Sequence, residues 1–104
     1  MMTFHHIGVP STQKRDKEIF LEGGKLYVTP VDADPMKIEY LRFLPDSPMP
    51  NELKTQTHLA YQVDNLEAEL KGKKMLIEPF SPMPGVQVAF ILHEGVPIEF
   101  MQIG

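Results

Sequence analysis

The sequence predicts an α+β domain made of two related halves. Three observations carry this. The order of elements read from the residues is strand, helix, strands, then strand, helix, strands again. His6-Ile7-Gly8-Val9 is echoed by His58-Leu59-Ala60-Tyr61, 52 positions later. Lys37-Ile38-Glu39-Tyr40-Leu41 is echoed by Pro97-Ile98-Glu99-Phe100-Met101, 60 positions later, so the second half is longer between its His and its Glu.

The elements follow in order. Phe4 to Val9 is a strand-like run ended by Pro10. Ser11 or Thr12 is placed to cap a short helix reaching about Leu21, with Gly23-Gly24 as its stop. Lys25 to Thr29 reads as a strand, Asp32-Ala33-Asp34-Pro35 as a turn, and Lys37 to Phe43 as another strand. Pro45 to Pro50 is an irregular connection. In the second half, Thr57 to Val63 alternates like a half-buried strand. Asp64 is a good N-cap, with Glu67 at the capping-box position, and Leu66 and Leu70 lie one helical turn apart before Gly72. Met75-Leu76-Ile77 is a short strand, Pro79 to Pro84 a loop. Val86–Leu92 and Val96–Ile103 are strands joined by a hairpin turn at His93-Glu94-Gly95. The tetrapeptide Ser-Pro-Met-Pro occurs at 47–50 and 81–84, but at different places in the two halves, and reads as coincidence.

Composition bounds the function. The 104 residues suit one domain, 1–104, with internal modules of about 1–50 and 51–104, and 42% apolar with 23% charged residues is ordinary for a soluble globular protein. No stretch has the roughly 18 to 20 apolar residues of a membrane span, and the N-terminus has no signal-peptide pattern, so a cytoplasmic location is expected. A net charge of −4 without a basic patch or basic helix argues against nucleic acid and anionic membranes as partners. With no cysteine, a thiol nucleophile, a disulfide and a Cys-ligated metal are excluded.

Chemistry therefore rests on His and carboxylate side chains. Each half offers one His on its first strand and one Glu on its last. By strand alternation His6 shares a face with Phe4 and Gly8, and His58 with Ala60 and Gln62. The small residue two beyond each His leaves room above the sheet for an ion or ligand. Ile7, Val9, Leu59, Tyr61 and Val63 point the other way, toward a core under the helices, and His5 is expected beside Ile7 and Val9. Glu39 and Glu99 lie inside apolar runs, where a carboxylate is costly unless paired or bound to metal. If the halves pack about a pseudo-twofold axis, His6, Glu39, His58 and Glu99 converge into an N2O2 site for a divalent ion, and Zn, Ni, Co, Mn or Fe all fit. A single strand His or Glu is more often solvated or structural than a ligand; the recurrence of both types at matching places favours a metal site. His93 sits in a turn and is expected to be solvated. Met36, Met49, Met75, Met83 and Met101 read as gap-fillers. Lys71-Gly72-Lys73-Lys74 reads as a solvated helix end that suits the dipole, with phosphate or coenzyme A contact as the alternative.

On these residues the chain resembles the vicinal oxygen chelate superfamily, which includes glyoxalase I, methylmalonyl-CoA epimerase, extradiol dioxygenases and fosfomycin and bleomycin resistance proteins. The resemblance is carried by His6-Ile7-Gly8-Val9, by the run from Thr57 to Leu66, and by Ile98-Glu99-Phe100-Met101-Gln102, with Ile38-Glu39-Tyr40-Leu41 as the strand ending the first module. It implies paired βαβββ modules forming a cupped mixed sheet; this chain departs from that pattern in a shortened first module, with two strands after its helix where the family usually has three. The His, Glu, His, Glu order is closest to glyoxalase I. It implies His6, Glu39, His58 and Glu99 as metal ligands and lyase or isomerase chemistry on a small α-oxygenated carbonyl substrate. The ion would act as a Lewis acid, and Glu99 or Glu39 would take the proton. No basic set for glutathione is present, so lactoylglutathione lyase activity is not implied. The alternatives are a resistance-type module that binds a small molecule without chemistry, and a ferrous extradiol-type dioxygenase using His6, His58 and Glu99. A homodimer is expected, because short open sheets leave edges and apolar surface uncovered.

Overall fold

Strands β1 (Met2–Pro10) and β5 (His58–Val63) open the two halves of the chain. They pair antiparallel at the middle of one eight-stranded sheet, in a computed structural model that describes all 104 residues. Beside β1 lies β4 (Ile38–Phe43), parallel to it; beside β5 lies β8 (Val96–Ile103), also parallel. Outward from β4 come β3 (Leu26–Val28) and β2 (Ile19–Leu21); outward from β8 come β7 (Val86–His93) and β6 (Met75–Met83). The order β2-β3-β4-β1-β5-β8-β7-β6 reads alike from the centre in both directions, so each half is a first strand followed by three more. The fold is α+β, a curled mixed sheet with two short helices, α1 (Asn51–Thr55) and α2 (Leu66–Leu70).

The first half departs from the expected order. It lacks the helix after β1, and it has three strands there, not two, with β2 and β3 only three residues long. Residues 12–18, Thr-Gln-Lys-Arg-Asp-Lys-Glu, contain no apolar side chain, so a helix there would have no stripe to bury. Ile19, Phe20 and Leu21 are consecutive and cannot share one helical face; they pair with Val28, Tyr27 and Leu26 instead. The segment crosses the sheet as a polar strap. Arg15 stacks its guanidinium 3.6 Å above the Tyr40 ring, and Arg42 donates to both Glu18 carboxylate oxygens at 2.9 and 2.7 Å while lying 4.4 Å over Tyr27.

Three more differences have local causes. Helix α1 lies in what reads as an irregular connection; Pro50 precedes it and its single turn serves to bury Leu53. Asn65, not Asp64, caps α2, its side-chain oxygen accepting from Ala68 N–H at 3.0 Å, while Asp64 pairs with the N-terminal ammonium. Strand β6 runs on through Pro79 and Pro82, because it is an edge strand with three register shifts against β7 and those positions need not donate. The hairpin after β7 turns on Glu94 and Gly95, both at positive φ (49° and 84°), as a two-residue hairpin loop requires.

Apolar side chains collect on both faces of the sheet. Under α2, Val63, Leu66, Leu70, Ala89, Ile91 and Phe100 form one cluster. On the opposite face Leu53 of α1 packs with Val88 and Phe90. Leu26, Val28 and Leu41 make a third cluster in the first half. The expectation of a core on one face only is therefore corrected: the face that carries His58 and Glu99 also carries Val88 and Phe90. No helix is long and apolar enough to cross a membrane.

Candidate metal centre

Strand register builds the centre. In one row across the sheet Glu39, Gly8 and His58 are successive partners on β4, β1 and β5. In the adjacent row His6, Ala60 and Glu99 are successive partners on β1, β5 and β8. Each row is a His and a Glu flanking a residue with little or no side chain. Neighbouring strands lie about 4.8 Å apart, so the flanking pair are two strands apart and must lean inward to meet. Gly8 and Ala60 leave the space. A Cβ added to Gly8 would overlap the His58 imidazole, and Ala60 is fully buried.

Glu99 touches both imidazoles, while only His6, Glu39 and His58 form a group in which every candidate ligand atom is near every other. His6 Nε2 lies 3.4 Å from Glu39 Oε1 and 3.4 Å from Glu99 Oε1, and His58 Nε2 donates to Glu99 Oε1 at 3.2 Å. His6, Glu39 and His58 each bring a potential ligand atom within 4.8 Å of the others. His58 is wholly buried, His6 and Glu99 nearly so, and the Glu39 side chain keeps 18% of its exposure. The His58 ring stands edge-on to Phe90, centroids 5.2 Å apart, which fixes it from the far side.

The electrostatics are those of a closed charge cluster. Burial would lower the His6 pKa, but the Glu39 and Glu99 carboxylates outweigh it and hold it up at about 9. Burial would raise that of Glu99, but His58 and His6 hold it down at about 2. Burial and the neighbouring His6 charge lower that of His5.

The donor set fits a divalent ion. Metal–ligand bonds of about 2.0–2.2 Å place neighbouring ligand atoms roughly 3.0–3.5 Å apart, the spacing of His6 Nε2 from the Glu39 and Glu99 oxygens and of His58 Nε2 from Glu99. His6 Nε2 is buried and has no well-aligned hydrogen bond, as does His58 Nδ1. Buried polar atoms are nearly always satisfied, so an unsatisfied imidazole nitrogen aimed between two carboxylates is what a missing cation would leave.

Two expected placements change. A bulge between Phe4 and His6 makes His5 the extra residue of β1. Phe4 therefore packs edge-on against Tyr61, 6.0 Å between centroids, and does not share the His6 face. His5 does not lie beside Ile7 and Val9: its Nδ1 is 2.8 Å from His6 Nδ1. The adjacent His-His pair was the only sign of this in the sequence, and strict alternation hid it. His93 is exposed as expected but is the last residue of β7, paired with Val96, and not part of the turn; Lys73 donates to the Glu69 carbonyl at the end of α2.

The chain matches no protein-family model, and no curated protein matches it. It is similar to a solved structure, hypothetical protein BH1468 from Bacillus halodurans C-125, at 23% identity and a TM-score of 0.72, over 99% of this chain and 95% of that one. That likeness shows the fold.

Proposed function

We propose that the chain is a small vicinal-oxygen-chelate-type protein in which His6, Glu39, His58 and Glu99 hold one divalent ion, and that it acts as a lyase or isomerase on a small α-oxygenated carbonyl compound in the cytoplasm. The observation that supports the reading is the grouping of His6, Glu39 and His58, with Glu99 against both imidazoles and His6 Nε2 buried without a well-aligned hydrogen bond. An ion among Zn, Ni, Co, Mn and Fe would supply Lewis-acid polarisation of a substrate carbonyl. His6 and His58 are the neutral-donor ligands, held by the sheet and by Phe90. Glu99 touches both imidazoles and is the more tightly committed carboxylate. Glu39 meets only His6 and is the more exposed of the two, so it is the better placed to take a proton from the carbon beside the carbonyl.

Metal-loaded protein would be screened against small α-hydroxy and α-keto carbonyl compounds in deuterium oxide, with exchange at the α-carbon read by NMR. Exchange with at least one of them, abolished in Glu39→Gln assayed at a metal concentration high enough to load that variant, supports the reading. Ligand-induced shifts without exchange would move the protein to the small-molecule binding class. Iron in the isolated protein with oxygen uptake on catechols would move it to the dioxygenase class. Homodimerisation belongs to the same proposal: Ile19 and Phe20 on edge strand β2 are about half exposed, and a monomer by light scattering at micromolar concentration would refute it.

A further inference from the structure

We propose that His5 is a positioning residue for the metal centre: the hydrogen bond between the Nδ1 atoms of His5 and His6 sets the ring and the proton of His6 so that Nε2 is presented to the ion. The inference rests on the metal site proposed above.

The geometry begins with the bulge. Regular alternation would send His5 to the opposite face from His6; the extra residue between Phe4 and His6 instead turns both rings to meet. The rings stand edge-to-face, centroids 5.1 Å apart and planes at 78°, with the two Nδ1 atoms 2.8 Å apart. Two ring nitrogens at that distance must share one proton between them, one donating and the other accepting. The far side of His6 decides which. Its Nε2 lies 3.4 Å from a Glu39 oxygen and 3.4 Å from a Glu99 oxygen, on the side where it joins Glu39 and His58 as a candidate ligand. An Nε2 that binds an ion has no proton, so a neutral His6 must carry its proton on Nδ1 and donate it to His5. Without His5 that Nδ1–H would lack the partner seen here, and the neutral ring would favour the other tautomer, with its proton aimed at the carboxylates and its lone pair turned away from the ion. Partners of this kind fix tautomer and orientation, and their loss typically weakens metal binding about 10–100-fold.

The test uses the full chain and zinc alone. Zinc affinity would be measured by chelator competition in wild type, His5→Phe, which keeps ring volume without an acceptor, and His5→Asn, whose side-chain oxygen can accept in place of Nδ1. The expected result is a 10–100-fold loss in His5→Phe and substantial recovery in His5→Asn. In zinc-loaded, ¹⁵N-labelled wild type, where His6 is neutral, a scalar coupling across the N–H···N bond should join His6 Nδ1 to His5 Nδ1, with the proton on His6. Equal zinc affinity in all three proteins, or a proton on His5 Nδ1, overturns the inference. Loss in His5→Asn equal to that in His5→Phe also overturns it, since packing alone would then account for both. If wild type itself binds no zinc or other divalent ion, the metal-site reading fails, and this inference with it. That outcome is distinct from a wild type that binds and a His5→Phe variant that binds equally well.

Discussion

Gly8 stands beneath the imidazole of His58: the two are partners across β1 and β5, and the ring occupies the space that a Gly8 side chain would need. Gly8→Ala should therefore push the ring off Glu99. Overpacking of this kind costs about 1–3 kcal/mol, and metal affinity should fall with it. Gly23→Ala, where an added Cβ meets nothing within 4 Å, is the matched control. Urea midpoints and cobalt uptake check both; a Gly8→Ala variant indistinguishable from the Gly23→Ala control would contradict the close approach.

His58→Ala should lose stability as well as metal. A separate ligand face would let the residue go without harm to the fold, but His58 is wholly buried against Phe90. Truncation leaves a cavity and removes a partner of the buried Glu99, and large-to-small changes at such sites cost about 2–5 kcal/mol. The measurement is the unfolding midpoint of metal-free protein. An unchanged midpoint would contradict the burial.

The metal-free protein should weaken toward alkaline pH through His6. Its folded pKa, about 9, lies above the unfolded value of 6.5, so its contribution is complete below about pH 6.5 and disappears as pH rises through 9. The amount is on the order of 3 kcal/mol. Glu99 has the opposite sign: its folded value, about 2, lies below 4.5, so its contribution is present above pH 4.5 and is lost as pH falls through 2. His6→Gln should abolish the alkaline limb in a pH series of urea midpoints. In the same window zinc must displace the His6 proton, so apparent affinity should climb about tenfold per pH unit up to about 9.

Glu18→Ala should free the strap without touching the centre. Glu18 is bound by Arg42 through both carboxylate oxygens, and Arg42 alternates along β4 with Glu39, on the other face of the sheet. Amide exchange over residues 11–18 should accelerate while zinc affinity holds. A parallel loss of zinc affinity would contradict the separation of the two faces.

What the sequence revealed, and what it hid, follows from the range of each signal. The matching places of His6 and His58, and of Glu39 and Glu99, were legible because each stands on a strand whose period is short and regular. The register that brings them together was not: nothing local to Glu39 says that Gly8 is its neighbour. The strap was misread because Ser11 and Gly23-Gly24 look like helix punctuation, while the absence of any apolar residue from 12 to 18 was the stronger evidence. Helix α1 escaped notice because one turn holding one buried leucine has no periodicity to detect. The His5 bulge broke the alternation on which its placement depended.

The central claim is that His6, Glu39, His58 and Glu99 hold one divalent ion, and metal content tests it most directly. Tag-free protein would be incubated with zinc, nickel, cobalt, manganese and ferrous ions in turn, desalted, and analysed by elemental mass spectrometry. His6→Ala, Glu39→Ala, His58→Ala and Glu99→Ala variants would be run beside it, with circular dichroism to confirm that each is folded. The account predicts about one ion per chain in wild type, with most of it lost in the folded His and Glu variants. Wild type that retains none of the five ions, or folded variants that retain as much as wild type, would contradict it.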